Sequence, residues 1–347
     1  MIQPSDISAE SLNWVSKSIG ISNGDILSKG QKLRIESSQR TFFRIPFKEK
    51  SSILMVVPYG IEESVESFCT KAKIFKQADV NVPDIYFQNQ NLGNLIVEDF
   101  GNDVLQYHLN KKNSGKLIKL AIEQIHKIEI VELDKNVFSD FDKVIENNIN
   151  LFKKFFLEGL LEISELEGFK EEIDEFYQIV ISDLKDHPKV INHYDFESRN
   201  LMSLSEKKLG VLDFQDALIS PLGIDLASIF KDLYRQWTKE ELDDWLNYYV
   251  NNSHIAKKFS LRDAELKKMI DLASLQRQVR ILGKLSQVYL ELKRPERLRD
   301  FKTVLNYMID TSSEYIETKK YSNLFKRLIP IFCLLYTSPS PRDSIAS

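Results

Sequence analysis

The sequence predicts an α+β chain in two lobes, a small antiparallel sheet followed by a larger, mostly helical part. Three observations carry this reading. Before residue 98, short apolar runs of strand type follow one another across brief polar connections: Lys32-Leu33-Arg34-Ile35, Phe42-Phe43-Arg44-Ile45 and Ile53-Leu54-Met55-Val56-Val57. After residue 103, apolar residues recur at spacings of three and four. One strand-like interruption, residues 190–214, breaks the helical part, and it holds the most informative polar residues of the chain.

In order along the chain, residues 11–20 put Leu12, Val15 and Ile19 on one helical face. The three strands then form a meander that stops at Pro58. Residues 61–78 read as a helix through Val65, Phe68, Ala72 and Phe75. Two strands follow, Asp84–Phe87 and Leu95–Val97, the second leading into Glu98-Asp99-Phe100-Gly101. Helices are expected over 103–112, 115–130, 140–160, 170–186, 225–236, 238–252, 262–291 and 297–318. This sets a sheet lobe at 1–98 and a helical lobe at 99–332, with the cleft between lobes as the expected place for a ligand. Residues 333–347, which include Pro339 and Pro341, are low in helix formers and are expected to be a non-native or disordered tail.

Composition narrows the partners. The chain has 347 residues, 43% apolar and 28% charged, with a net charge of −4. No basic surplus or polybasic block points to nucleic acid or to an anionic membrane. Two cysteines, Cys69 and Cys333, make neither a disulfide framework nor a zinc site and fit a reducing cytoplasm. Met1-Ile2-Gln3-Pro4-Ser5-Asp6 lacks the basic and apolar regions of a signal peptide. The longest apolar run, Leu328–Leu335, is too short for a bilayer and contains Pro330.

The interruption supplies His193, Asp195 and Asn200 in one short loop, and Asp213 directly after Val211-Leu212. Phosphoryl transfer needs these residue types. An attacking hydroxyl wants a carboxylate to orient it and take its proton. A magnesium ion on a polyphosphate wants oxygen ligands, here an amide oxygen and a carboxylate. In the plainer reading Asp195 and Asn200 cap a loop, Asp213 ends a strand and His193 is a satisfied core histidine. The coincidence of order, spacing and flanking strands favours the chemistry. Arg277, Arg280 and Lys284 fall on one face of the 262–291 helix. They read either as a carboxylate clamp led by Arg277 or as a solvated cationic face.

With these residues assembled, residues 10–330 resemble the aminoglycoside phosphotransferase and choline kinase superfamily, and within it the bacterial N-acetylmuramate/N-acetylglucosamine anomeric kinases. The resemblance rests on Ser37–Arg44, Val80–Pro83, Leu95–Gly101, His193–Met202, Leu209–Pro221, Asp225–Ser228 and Leu275–Gly283. It implies a protein-kinase-like fold and the use of ATP and Mg2+ on a small-molecule sugar. Asp195 would be the catalytic base, with Asn200 and Asp213 holding the metal. Glu98, Asp99 and Phe100 would meet the adenine through their backbone. Ser38, Arg40 and Arg44 would cover the phosphates. Arg199, Asp216 and Arg277 would face the substrate, with His193 and Asp225 in support. A helix N-cap is the plainer role for Asp225. Two features depart from the wider pattern: Met55 stands near the place of a third-strand lysine, and no G-x-G-x-x-G is present. Choline or aminoglycoside phosphorylation and a non-catalytic nucleotide-binding module are the competing readings.

Overall fold

A computed structural model of the chain describes residues 1–33, 40–58, 65–163 and 168–337, the side chains of 334–337 excepted. It divides into two compact units, residues 1–138 with 193–217, and residues 139–192 with those from 218 onward.

The first unit opens with two helices, α1 (Ala9–Ile19) and α2 (Asn23–Lys29). Ser8 and Ser22 start them by accepting the N–H three residues on, and Gly20 and Gly30 end them. The seven residues of α2 are too few to show a period, which is why the sequence did not announce it. The strands β1 (Gln31–Lys32), β2 (Thr41–Phe47) and β3 (Lys50–Val56) precede helix α3 (Val65–Gln77), and β4 (Ile85–Asn89) and β5 (Asn94–Glu98) follow it. They form one antiparallel sheet in the order β1-β2-β3-β5-β4. Phe43, Ile45, Leu54 and Ile96 turn to one face and close a core with Ile2, Ile7, Leu12, Val15 and Ile26. Each such burial is worth about 1.5–3 kcal/mol. The expected strand at Lys32–Ile35 meets β2 through Lys32, opposite Phe43, and through the Leu33 N–H, which donates to the Phe42 carbonyl at 2.9 Å; Arg34, Ile35 and the turn with Ser38 lie outside the described residues.

Two helices complete the continuous part of this unit, α4 (Leu105–His108) and α5 (Ser114–Glu129). The expected helix over 103–112 is a single turn, because Asp103 and Val104 hydrogen-bond as strand with the later Ser203 and Met202. The second unit begins with β6 (Ser139–Asp140) and α6 (Asp142–Leu151), which runs on as a π-helical stretch, Phe152–Leu160. Helix α7 (Phe169–Lys185) and β7 (Lys189–Asn192) follow. The chain then returns to the first unit for the hairpin β8 (Leu201–Ser205) and β9 (Lys208–Val211).

Strand β10 (Leu218–Pro221) re-enters the second unit between β6 and β7. All four of its residues are buried, so it shows no alternation, and sequence periodicity passed over it. The helices are α8 (Ile224–Phe230), α9 (Lys239–Asn252), α10 (His254–Lys258), α11 (Asp263–Leu292), α12 (Phe301–Glu314) and α13 (Ser322–Thr337). The long α11 is the hub of this unit. It packs against the π-helical stretch so closely that a Cβ on Gly283 would lie 2.6 Å from the Phe152 nitrogen. Two expected helices are shorter than their apolar patterns. The 225–236 helix stops at Phe230, and 297–318 splits into a 3-10 segment, Pro295–Asp300, and α12. Helix α13 crosses the tail boundary set at 333 and ends at Thr337; residues 338–347 lie outside the described residues. Among the described residues no helix is long and apolar enough to cross a membrane.

Candidate active site

The loop after β7 is built around one histidine. His193 is fully buried. Its Nε2–H donates to the carbonyl of Leu212 at 2.7 Å, and its Nδ1 accepts the Asp195 N–H at 3.3 Å. That pair of bonds fixes the ring's tautomer. Tyr194, between them, takes a left-handed conformation, φ +76°. A non-glycine residue there is strained, and strain of this kind collects at functional sites. The loop closes through Asn200, whose Nδ2 donates to the Asp195 carbonyl at 2.8 Å. Arg199 reaches back to Asp195 Oδ2 at 3.2 Å and forms an ion pair with the buried Glu197 at 2.7 Å. The Asp195 side chain is 19% exposed. Its carboxylate is thus oriented by Arg199 and Asn200, and part of it faces solvent.

Asp213 comes to the same end of the β8–β9 hairpin. Leu201 pairs with Val211, and the Leu212 N–H donates to the Asn200 carbonyl at 2.9 Å. Asp213 also has positive φ, +60°, and opens a 3-10 turn, Phe214–Asp216. Its side chain is 44% exposed; Gln215 Nε2 donates to Oδ1 at 2.6 Å, and Arg40 Nη1 lies 3.9 Å from the same oxygen. The donor set fits magnesium. Asn200 spends its amide N–H on the loop, which leaves its oxygen as an acceptor, and the Asp213 carboxylate is hard and accessible. The structure therefore brings together His193, Asp195, Arg199, Asn200, Asp213 and Arg40.

Arg44, expected at the phosphates, turns its guanidinium to the segment after β5. Nε and Nη2 fork onto Asp99 at 2.6 and 2.9 Å, Nη1 donates to Asn102 Oδ1 at 2.7 Å, and Nη2 also meets the Gly101 carbonyl. Ser51 Oγ and the Gly101 N–H complete the shell of Asp99. Burial acts to raise the Asp99 carboxyl, but the bonds from Arg44, Ser51 and Gly101 outweigh it and hold the pKa below the ordinary carboxylate value. Glu98 closes β5: its N–H donates to the Asp84 carbonyl and its carboxylate accepts the Asp84 N–H. The ring of Phe100 lies over β9, where a Cβ on Gly210 would stand 2.5 Å from it. That explains a glycine in the middle of a strand.

Sequence reasoning missed Lys71. It lies on the apolar face of α3 with Phe68, Ala72 and Phe75, is 7% exposed, and donates to the Gln215 carbonyl. A lysine inside an apolar stripe was the available signal. Asp216, exposed, is the acidic group whose charge bears on this ammonium.

In the second unit, Asp225 is buried, and its N–H donates to Asn192 Oδ1 at 3.2 Å. It is not an N-cap: Gly223 holds that position. Arg277 is 2% exposed and so is not itself solvated; Arg280 is half-buried and Lys284 exposed. The Arg277 charge bears on Tyr307, whose hydroxyl donates to the Asp232 carbonyl. Burial first, and then Asp232, push the Tyr307 hydroxyl up to about 12 against the opposing pull of Arg277.

Fold and sequence together define a small-molecule kinase. Residues 29–264 match the family model described as the phosphotransferase enzyme family, and the chain belongs to that family. It is similar to the N-acetylmuramate/N-acetylglucosamine kinase of Pseudomonas putida, 26% identical over 294 residues that cover 84% of this chain and 86% of the relative. It is likewise similar to the N-acetylmuramate/N-acetylglucosamine kinase of Neisseria meningitidis serogroup B, at 28% over 308 residues, 85% and 86% of the two chains. Among solved structures, the ADP-bound aminoglycoside phosphotransferase APH(2'')-Ib superposes with a TM-score of 0.60 at 16% identity, covering 92% of this chain and 99% of the other. The choline kinase LicA from Streptococcus pneumoniae gives 0.59 at 14%, covering 87% and 100%. These two share the fold, which is protein-kinase-like, with a small antiparallel sheet and a larger helical portion.

Proposed function

We propose that the protein transfers the γ-phosphoryl group of ATP to the anomeric hydroxyl of an N-acetylated amino sugar, N-acetylmuramate or N-acetylglucosamine, in cell-wall recycling in the cytoplasm. One observation carries the chemistry. Asp195 and Asn200 are bonded within one loop, and the Leu212–Asn200 backbone bond sets Asp213 beside them. The sugar class is supported by the two relatives of that name.

In this reading residues 1–98 take the nucleotide and residues 99–332 take the sugar. The sugar hydroxyl oxygen bonds to the γ-phosphorus while the bond to the ADP oxygen breaks, and the hydroxyl proton passes to the Asp195 carboxylate. Asp195 orients that hydroxyl, and Arg199 keeps the carboxylate aimed. Asn200 Oδ1 and the Asp213 carboxylate would hold magnesium, which when bound neutralises charge on the phosphates. Arg40, beside Asp213, supplies cationic charge in place of a third-strand lysine, and the backbone of Glu98, Asp99 and Phe100 meets the adenine. Positioning and charge carry most of the rate, since phosphoryl transfer asks little covalent chemistry of the protein.

The test is incubation with Mg-ATP and, separately, N-acetylmuramate, N-acetylglucosamine, choline and kanamycin, with products read by mass spectrometry and phosphorus NMR. An anomeric sugar phosphate is expected. A 6-phosphate would remove the anomeric assignment, and phosphocholine or phosphokanamycin would remove the sugar. ATP binding with no transfer to any acceptor would leave a nucleotide-binding module.

A further inference from the structure

The turn that follows Asp213 is held from one side by a single helix. The Phe214 ring sits against Phe68, at 4.7 Å between centroids, and Phe75, at 5.8 Å, both from α3. Between those two phenylalanines in the sequence, Lys71 donates from Nζ to the carbonyl of Gln215. The same Gln215 turns its side chain the other way and donates to Asp213 Oδ1 at 2.6 Å. A chain of contacts thus runs from α3 through the Phe214–Asp216 turn to the Asp213 carboxylate.

Lys71 is an unusual residue for this position. Its neighbours on the buried face of α3 are Val65, Phe68, Ala72 and Phe75, and its ammonium lies 5.9 Å from the centre of the Phe138 ring. Burial lowers its pKa; the Asp216 charge opposes that and the Arg40 charge adds to it. A methionine or leucine would fill the same space without the desolvation cost. A lysine that gives its N–H to a turn carbonyl here fixes the turn, because a carbonyl left buried without a donor is costly. It also adds positive charge behind the acidic turn.

We propose that Lys71 is a positioning residue for the metal carboxylate, acting through the Phe214–Asp216 turn to hold Asp213 in its left-handed conformation. This rests on the reading above that Asp213 holds magnesium. Groups that orient a metal ligand from behind typically change metal affinity by about 10–100-fold when removed. Lys71 does not touch nucleotide or sugar in this assignment, so it sets how tightly magnesium is held and leaves adenine recognition alone.

Calorimetry of ADP binding with and without magnesium separates these effects. The readout is the gain in ADP affinity that magnesium brings. In Lys71→Met this gain should shrink about tenfold or more, while the metal-free ADP Kd stays within about twofold and Lys71→Arg recovers much of the loss. A Lys71→Met protein that keeps the whole magnesium gain, or that loses metal-free affinity equally, overturns the proposal. Should Lys71→Met fail to fold, Lys71→Ala deletes the same donor to the Gln215 carbonyl without adding bulk, and its magnesium gain is read in the same way. A reduced gain there supports the proposal, and an unchanged gain overturns it. A wild-type protein whose ADP affinity ignores magnesium would remove the metal role of Asp213 itself, a separate failure visible before any variant is made.

Discussion

His193 is bonded to Leu212 across the candidate site, Nε2 to carbonyl oxygen at 2.7 Å. Because the other ring nitrogen accepts the Asp195 N–H, one imidazole sets the spacing between the loop that presents Asp195 and the strand end that presents Asp213. Replacing it by phenylalanine keeps the ring volume and deletes both bonds. His193→Phe should cost about 1–3 kcal/mol of stability, read from urea unfolding, and lower kcat at least about tenfold, since misplaced catalytic groups lose rate steeply. A kcat within about twofold of wild type would show that the spacing does not depend on the imidazole.

Asp195→Asn keeps the shape of the side chain and removes its ability to take a proton. The expected loss in kcat is about 10²–10⁴-fold, with the ADP Kd nearly unchanged. A variant that retained more than half of the wild-type kcat would end the assignment of Asp195 as the base.

The Arg44–Asp99 fork gives the first unit a pH dependence. The folded-state pKa of Asp99 lies below its ordinary value of 3.8. Its contribution is therefore complete above that value and is lost as pH falls through the lower folded one. Asp99→Asn should reduce stability at pH 7 by about 1.5–3 kcal/mol, the range for bonds to a charged group. It should also flatten the acid limb of a stability–pH curve. Parallel acid limbs for wild type and variant would show that Asp99 does not supply this dependence.

Arg277 is the residue proposed to meet the sugar. If its guanidinium meets the lactyl carboxylate of N-acetylmuramate, Arg277→Met should raise KM for that sugar about ten- to a hundredfold, the worth of a charge-assisted bond. N-acetylglucosamine, with no carboxylate, should be affected far less. Equal changes for both sugars would leave Arg277 as a purely structural cation.

The shared loop of the candidate site was legible in the sequence because the chemistry proposed for it fixes residue types in a short span: His193, Asp195 and Asn200 cannot be spread out and still share one loop. The sheet was legible through alternation, as with Phe43 and Ile45 inward and Arg44 outward. Strand β10, with no polar face, had no alternation to read. The fork of Arg44 onto Asp99 left no local trace because the two residues are 55 apart in the chain, and a strand arginine looks the same before that distance is closed. Lys71 sat in an apolar stripe where a charge is out of place, but its partner, a backbone carbonyl, leaves no trace in a sequence.

The two units are interleaved along the chain: residues 139–192 separate the first part of unit one from its return at 193–217. During synthesis the sheet and α3 can leave the ribosome and begin to fold well before their last piece exists. Until residue 214 emerges, Phe68 and Phe75 lack the ring that covers them in the finished protein, and exposed aromatic surface of this kind invites aggregation. The Asp213 turn thus arrives as the closing piece of its unit. A nascent chain arrested before it should expose a sticky apolar face that a chaperone would cover, and a chain arrested soon after it should not.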